Sequence, residues 1–277
     1  MFKAFWGMEF NPFDKGISEK HSFKSRDFSQ ATARLEHLKN TKGIGLFSGF
    51  SGTGKTFALR CFCSSLNPNL YKVVYLPLST VTVMEFYRSL ALGLNLEPLY
   101  KKIDLFNSIQ ERLIFLAKDK KVTPVIITDE AQYLKTGIFN DIKLLLNFCM
   151  DSKDYAILIL TGQPVLNDIL SKNVHEALKQ RIIINYNFEG ISKCEIEEYI
   201  SSRFKLCGVH EPIFNNNSIE AIYSCSNGSI RKLNTIIEKC LLIGAQKKVR
   251  AIDTEIVMAA QNETELWRGM GQRPSWL

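Results

Sequence analysis

One short segment, GFSGTGKT at residues 49–56, has the residue types that bind a polyphosphate. Its pattern is G-x-x-x-x-G-K-T, in which glycines let backbone N–H groups turn inward toward phosphate oxygens. Lys55 can reach the β- and γ-phosphates of a nucleotide, and the Thr56 hydroxyl can coordinate Mg²⁺. An apolar run, GIGLFSG, leads into the segment, and a helical pattern, KTFALRCFCSSL, follows. The segment therefore predicts a phosphate-binding loop between a buried strand and a helix.

Two adjacent carboxylates, Asp129 and Glu130, follow a second apolar run, TPVIIT. Alone they would indicate a solvated strand end, but a nucleotide with Mg²⁺ needs a carboxylate near the metal. We assign Asp129 to Mg²⁺, together with Thr56, and Glu130 to the attacking water. The predicted cofactors are ATP and Mg²⁺. The residues predicted to contact the nucleotide at the loop are Gly49, Ser51, Gly52, Thr53, Gly54, Lys55, Thr56 and Phe57.

Three polar residues later in the chain are further candidates. Thr161 lies at the end of the apolar run YAILILTG, where its side chain would lie between the nucleotide and the attacking water. Gln163 is the second candidate for this role. The alternative is an ordinary transition from a strand to a loop. Arg181, in ALKQRIII, would reach a neighbouring subunit's γ-phosphate, or it is a surface cation or caps a helix C-terminus. Arg231 lies in a first helical turn, where the helix dipole does not favour a cation, so it is either a phosphate contact or a solvated charge.

The elements that must position these residues alternate between strands and helices. Five apolar runs predict strands, and amphipathic patterns between them predict helices. The strands are apolar throughout, which predicts an α/β fold with a parallel five-stranded sheet and helices on both faces. After about residue 190 the patterns are all helical. We therefore predict an α/β nucleotide-binding domain at 1–190 with an N-terminal arm, a small all-α domain at 191–262 and a tail at 263–277.

Composition favours a folded, cytoplasmic protein. Of the 277 residues, 45% are hydrophobic and 23% charged, as in ordinary globular chains. The seven cysteines lack metal-ligand spacing, which argues against zinc and for free thiols. No signal peptide or membrane span is expected from the sequence. The net charge of +7 suits a partner with a phosphate backbone, or reflects a Lys-rich surface.

The segments GFSGTGKT, VIITDE, LTGQP, LKQRI and GSIRKLN resemble, in this order, the Walker A, Walker B, sensor 1, arginine-finger and sensor 2 regions of AAA+ ATPases. The resemblance implies the P-loop AAA+ fold with a helical lid, Mg²⁺-dependent ATP hydrolysis, and assembly into a ring or helical filament. In the sensor 1 region the family usually has an asparagine, and this chain has Thr161 at that position instead. The resemblance also favours the arginine-finger role for Arg181. It also places Asn11, Pro12 and Phe13 near the adenine, unless this arm packs on a core instead.

Within that superfamily, the chain is similar to the ExeA-type group and to transposon-encoded ATPases of the MuB, TnsC, TniB and IstB kind. The segments FWGMEFNPF, ARLEHL and GQP are similar to the ExeA-type group. The similarity to both groups implies an ATPase that oligomerises on double-stranded DNA and directs a transposase, with no membrane partner. The alternatives are a secretion-associated ATPase or a helicase loader. The basic candidates for DNA contact are Lys101, Lys102, Lys118, Lys120, Lys121, Lys247, Lys248 and Arg250.

The C-terminal segment ELWRGMGQRPSWL does not continue a helical pattern. Its two tryptophans suit a peptide that docks on a partner or on a neighbouring subunit, because exposed tryptophan is unfavourable without a binding role. The alternative is a frayed end.

Overall fold

The computed structural model describes residues 2–14, 16–77, 80–150 and 152–264. Contacts divide the chain into two compact units, which are treated separately below. Residues 24–190 form the sheet unit, and the described residues of 1–23 and 191–277 form the helical unit. The predicted docking peptide begins at Glu265 and so lies outside the described residues.

The sheet unit is built on five parallel strands, as the sequence predicts. Their spatial order is β2-β3-β4-β1-β5, and every neighbouring pair is parallel. β1 and β4 are buried along their whole length, and β3 is buried except at its first residue, which explains their uninterrupted apolar sequences. The strands are β1 (Gly43–Gly49), β2 (Tyr71–Leu76), β3 (Thr123–Thr128), β4 (Ile157–Gly162) and β5 (Ile182–Phe188).

Twelve α-helices occur among the described residues, together with 3-10 turns that include Ala131–Tyr133. The α-helices are α1 (Phe2–Trp6), α2 (Arg26–Thr41), α3 (Lys55–Ser65), α4 (Val83–Gly93), α5 (Lys102–Lys118), α6 (Thr136–Leu145), α7 (Val165–Leu170), α8 (Glu176–Lys179), α9 (Ile196–Leu206), α10 (Asn216–Ser226), α11 (Ile230–Lys247) and α12 (Thr254–Thr264). None of the helices in the described part of the chain has the length and apolar character that a membrane span requires.

Helices cover both faces of the sheet. On one face, α2 and α3 pack against alternate strand residues that include Val125 and Ile127. On the other face, α4, α5 and α6 pack against the intervening residues, such as Ile126. Because successive strand residues point to opposite faces, each central strand contributes to two hydrophobic cores. This layered arrangement holds the carboxyl ends of the strands, and the loops that follow them, on a rigid base.

The helical unit has its own core, formed by α9 to α12 and by residues near the N-terminus. Trp6 is 5% exposed, and its indole N–H donates to the Leu241 carbonyl oxygen at 2.8 Å. Phe13 is 3% exposed and packs edge-on against Phe204. The sequence pattern predicts that this arm belongs to the nucleotide-binding domain at 1–190. The structure instead packs it within the helical unit, because its large apolar side chains fill that core.

Candidate nucleotide-binding site

The loop between β1 and α3 has a backbone that only glycine suits at two positions. A Cβ on Gly49 would lie 2.8 Å from the Phe188 carbonyl oxygen, so no side chain fits there. Gly54, at the N-terminus of α3, has a φ of 104°, in the left-handed region that favours glycine. The loop therefore turns directly into a helix N-terminus, where backbone N–H groups and the helix dipole favour an anion.

The Lys55 side chain lies within this loop. It is 6% exposed, and its ammonium group donates to the carbonyl oxygens of Gly49 and Phe50 at 2.6 and 2.8 Å. These contacts hold a buried positive charge at the start of α3, beside the N-terminal N–H groups. The loop thus combines two features that attract phosphate, an amide cradle and a fixed cation.

The structure brings together the two residues predicted to bind Mg²⁺. Thr56 Oγ1 donates to Asp129 Oδ2 at 3.4 Å, although the two residues lie on different elements. Asp129 follows β3 and is 7% exposed. A hydroxyl and a carboxylate are hard oxygen ligands of the kind Mg²⁺ prefers, and Mg²⁺ is usually held by few protein ligands plus phosphates. The donor set therefore fits Mg²⁺.

Two more groups orient the Asp129 carboxylate. The Tyr75 hydroxyl, at the end of β2, donates to Asp129 Oδ2 at 2.9 Å, and the Glu130 backbone N–H donates to Oδ1, also at 2.9 Å. Partial burial and the negative charge of Asp129 raise the pKa of Tyr75 to about 12. Tyr75 therefore keeps its proton at neutral pH and remains a donor to the carboxylate.

Glu130 occupies an unusual backbone conformation. Its φ and ψ are 51° and 39°, in the left-handed region, which is uncommon for residues other than glycine and asparagine. The chain turns there from β3 into the 3-10 helix Ala131–Tyr133. The Glu130 carboxylate accepts a hydrogen bond from Gln132 Nε2 at 2.6 Å. Seven other described non-glycine residues also have a positive φ, so at Glu130 this conformation serves the turn that follows β3.

The two candidates that follow β4 take different positions. Thr161 is fully buried, and its hydroxyl has no hydrogen-bond partner among the described residues. The backbone N–H of Gln163 donates to Gln132 Oε1 at 3.1 Å. The role of either residue in positioning water stays a prediction.

Asn167 is a polar residue near the loop that the sequence analysis missed. It lies on α7, and its Nδ2 donates to the Ser48 hydroxyl at 2.8 Å. Ser48 in turn donates to Asn187 Oδ1 at 3.2 Å. This chain of hydrogen bonds links α7, β1 and β5 directly before Gly49. The sequence does show the polar residues Ser48 and Asn187 near the ends of β1 and β5. The strand order, which places these two strands side by side, was needed to connect them.

Arg181 makes a contact within its own chain. Its guanidinium donates to the Lys143 carbonyl oxygen at 2.6 Å, in the last turn of α6. This is the helix-capping interaction that the sequence analysis considered beside the finger role. A finger acts on a neighbouring subunit, so that role stays a prediction for Arg181.

The remaining predicted nucleotide contacts belong to the helical unit. Asn11 donates to Glu238 and accepts the Phe13 backbone N–H, while Pro12 is buried. Arg231 lies in the first turn of α11, which Ser229 caps. The proposed contacts of these residues with adenine or phosphate stay predictions.

The parallel sheet, the glycine loop after β1 and the carboxylate after β3 define the P-loop AAA+ fold, here with a helical C-terminal region. Residues 38–170 match a family model described as an AAA domain. General secretion pathway protein A of Aeromonas hydrophila is 28% identical over 266 residues, which cover 94% of this chain and 48% of that protein. This chain thus spans about half the length of that relative.

Solved structures show the same fold. Cdc6p from Pyrobaculum aerophilum has a TM-score of 0.70 and 16% identity, over 91% of this chain and 70% of that one. The Drosophila ORC structure bound to DNA has a TM-score of 0.69 and 15% identity, over 95% of this chain and 65% of that one. The RuvB branch migration motor of Thermotoga maritima has a TM-score of 0.55 and 16% identity, over 91% of this chain and 73% of that one. The AAA domain model and these solved structures agree on the P-loop AAA+ fold of the chain.

Proposed function

We propose that this chain binds ATP with Mg²⁺ and hydrolyses it to ADP and phosphate. One observation carries the proposal. The Thr56 hydroxyl and the Asp129 carboxylate meet at 3.4 Å, beside the loop that holds the Lys55 ammonium group. Two oxygen ligands, one cation and a helix N-terminus are the parts that phosphoryl transfer needs, because its catalysis is mostly positioning and charge stabilisation.

The chain's residues have separate roles in this reaction. The loop N–H groups and Lys55 hold the β- and γ-phosphates in line for attack. When bound, Mg²⁺ neutralises charge on the phosphate oxygens. Glu130 accepts a proton as a water oxygen bonds to the γ-phosphorus and the bond from that phosphorus to the β–γ bridging oxygen breaks. Tyr75 donates to Asp129 and so keeps fixed one oxygen of the carboxylate that, with Thr56, would hold the metal.

Hydrolysis should require the metal. Purified protein with ATP and Mg²⁺ is expected to release phosphate and ADP in equal amounts, and excess EDTA should reduce release to the rate of buffer alone. The reason is that Asp129 and Thr56 supply oxygen ligands for a metal, and the metal supplies the positive charge that neutralises the phosphate oxygens. A phosphate-release assay with and without EDTA measures this. Phosphate release that is unchanged by EDTA would remove Mg²⁺ from the reaction and Asp129 from its proposed role.

We further propose that the ATPase acts on double-stranded DNA as a homo-oligomer, a ring or filament, and with a transposase as protein partner. The net charge of +7 supports DNA, since basic proteins associate with phosphate backbones. Two proteins of the same fold were solved on DNA, the Drosophila ORC and the Aeropyrum pernix ORC1 protein. The proposed transposase rests on the resemblance of the chain to transposon-encoded AAA+ ATPases.

The structure divides the basic candidates for DNA contact. Four already make contacts within the chain: Lys102 pairs with Asp141 at 2.7 Å, and Lys118, Lys120 and Arg250 lie over the rings of Tyr155, Phe115 and Phe5. All eight side chains are exposed, and within the described part of the chain the other four have no ion pair or ring contact to lose on meeting phosphates. These four are Lys101, Lys121, Lys247 and Lys248.

DNA binding is expected to depend on ATP and on salt. A gel-shift titration of duplex DNA should show retention with ATP at low salt and its loss as salt rises. Each neutralised phosphate contributes a slope of about −0.9 to the plot of log affinity against log salt concentration. The matched control is the same titration without nucleotide. No shift at low salt with ATP would overturn DNA binding.

A secretion-associated ATPase is the second candidate. The observation that favours it is the 28% identity to General secretion pathway protein A across 94% of this chain. Mg²⁺-dependent hydrolysis without DNA retention would favour this candidate, because the ATPase site is common to both.

A further inference from the structure

Gln132 connects Glu130 to the loop that follows β4. It is half buried in the 3-10 helix Ala131–Tyr133. Its Oε1 accepts the Gln163 backbone N–H at 3.1 Å, and its Nε2 donates to Glu130 Oε2 at 2.6 Å. A backbone N–H can only donate, so the oxygen of the amide must face Gln163. The orientation of the amide is therefore determined by its partners, and the nitrogen must face Glu130.

Gly162 makes this arrangement possible. It is the last residue of β4, and a Cβ there would lie 2.4 Å from Gln132 Oε1. The amide oxygen thus packs directly against the backbone at the end of β4. β4 is a central strand whose Gly162 lies in register with Ser48, the residue before the phosphate-binding loop. The amide is held between this rigid strand end and the Glu130 carboxylate.

We propose that Gln132 is a positioning residue that fixes the Glu130 carboxylate for catalysis and couples it to residues 162–164. The inference rests on the proposed role of Glu130 as the base. The left-handed backbone of Glu130 sets the direction in which its side chain leaves the main chain, and the Gln132 amide holds the far end at Oε2. Oε1 then remains to accept the proton of the attacking water. Fixing a base in this way raises the rate because the reactive geometry is already formed.

This linkage has a consequence for regulation. A contact that shifts the loop after β4 would change the position of the Gln163 N–H, and with it the Gln132 amide. The displacement would reach Glu130 through one side chain, with no direct contact to the nucleotide. ATP hydrolysis would then respond to that loop while ATP affinity stays unchanged.

The first test replaces Gln132 with methionine, which has a similar shape but neither donates nor accepts as the amide does. We expect kcat to fall about 10- to 100-fold, the range found when a supporting contact of a reactive group is lost. The dissociation constant for ATP should be unchanged, because the amide contacts Glu130 and not the loop of residues 49–56. The control is Gln30→Met on α2, an exposed glutamine that contacts Arg34 and should leave kcat unchanged.

The second test uses pairs of substitutions. Gly162→Ala should lower kcat by displacing the Gln132 amide, and it should have little further effect in the Gln132→Met background, where the amide that transmits this displacement to Glu130 is gone. Gln132→Met should likewise have no further effect in the Glu130→Gln background, because it acts through the Glu130 carboxylate. Thermal unfolding of each variant checks that the fold is retained, and Gly162→Ala provides a second route if Gln132→Met is unstable.

The outcomes separate this inference from the proposed function. If Glu130→Gln lowers kcat and Gln132→Met leaves it unchanged or raises it, the positioning role is wrong and the base assignment stands. The positioning role is also wrong if Gln132→Met and Glu130→Gln lower kcat by independent, multiplicative factors. If Glu130→Gln itself retains normal turnover, the base assignment fails first.

Discussion

Replacing Lys55 with alanine is expected to abolish ATP binding at concentrations where the unmodified protein is saturated. The ammonium group lies inside the loop, 2.6 Å from the Gly49 carbonyl oxygen and 2.8 Å from that of Phe50. Phosphate oxygens would compete for it there, in a partly desolvated position. A hydrogen bond to a charged group contributes about 1.5–3 kcal/mol, so losing contacts to two phosphates weakens binding by roughly 100-fold or more. Titration calorimetry with Mg²⁺ and ATP measures this directly.

Two controls accompany the Lys55 substitution. Lys39 pairs with Glu36 on the surface of α2, and Lys39→Ala should bind ATP normally because exposed ion pairs contribute little. Lys55→Met keeps most of the side-chain volume and removes only the charge, so it separates loss of binding from loss of packing. Tight ATP binding by both Lys55 variants would contradict the assignment of the phosphate-binding loop.

The sequence predicted the sheet well because burial leaves a simple pattern. Residues such as Val125, Ile126 and Ile127 are buried on alternate faces, so both faces must be apolar and the run is uninterrupted. A local signal is also visible at the start of α4, where the T-x-x-E spacing of Thr82 and Glu85 corresponds to a capping box in the structure. The spatial order of the strands had no such local signal, because it depends on packing between distant parts of the chain.

The N-terminal arm shows where sequence reasoning fails. Its aromatic residues indicate burial, but an aromatic side chain can fill the core of either unit. The partner that decides for Trp6 is the carbonyl oxygen of Leu241, 235 positions away in sequence. A buried indole N–H needs such an acceptor, and the sequence does not show where it is.

Contacts that a motif implies could be expected from the sequence, whereas contacts that depend on strand neighbours were missed. Thr56 and Asp129 were expected together, and their Oγ1 and Oδ2 atoms lie 3.4 Å apart, since the loop and the carboxylate follow two strands of one parallel sheet. Their role as Mg²⁺ ligands stays a prediction. Tyr75 was missed because its contact with Asp129 requires β2 to lie beside β3. Gln132 was missed because its amide meets a backbone N–H that is 31 positions later. Each of these residues stands near a strand end, which is a weak signal alone.

Replacing Glu130 with glutamine is expected to leave ATP binding intact and to slow hydrolysis about 10²- to 10⁴-fold, the usual contribution of a general base. Glutamine has the same size, and its amide oxygen can still accept the hydrogen bond that Gln132 donates. The substitution therefore removes proton acceptance while keeping the local hydrogen bond. Single-turnover hydrolysis of bound ATP measures the chemical step apart from product release. Glu85→Gln, in the capping box of α4, is the control carboxylate and should hydrolyse ATP normally.

The same variant connects the two levels of the proposed function. If ATP binding drives assembly on DNA and hydrolysis drives disassembly, Glu130→Gln should hold duplex DNA longer than the unmodified protein does, while Lys55→Ala should not hold it at all. Opposite effects from two substitutions in one site cannot arise from a general loss of folding. Normal turnover by the Glu130→Gln variant would show that Glu130 is not the general base. Slow turnover with no change in DNA lifetime would keep the base and exclude hydrolysis as the step that releases DNA.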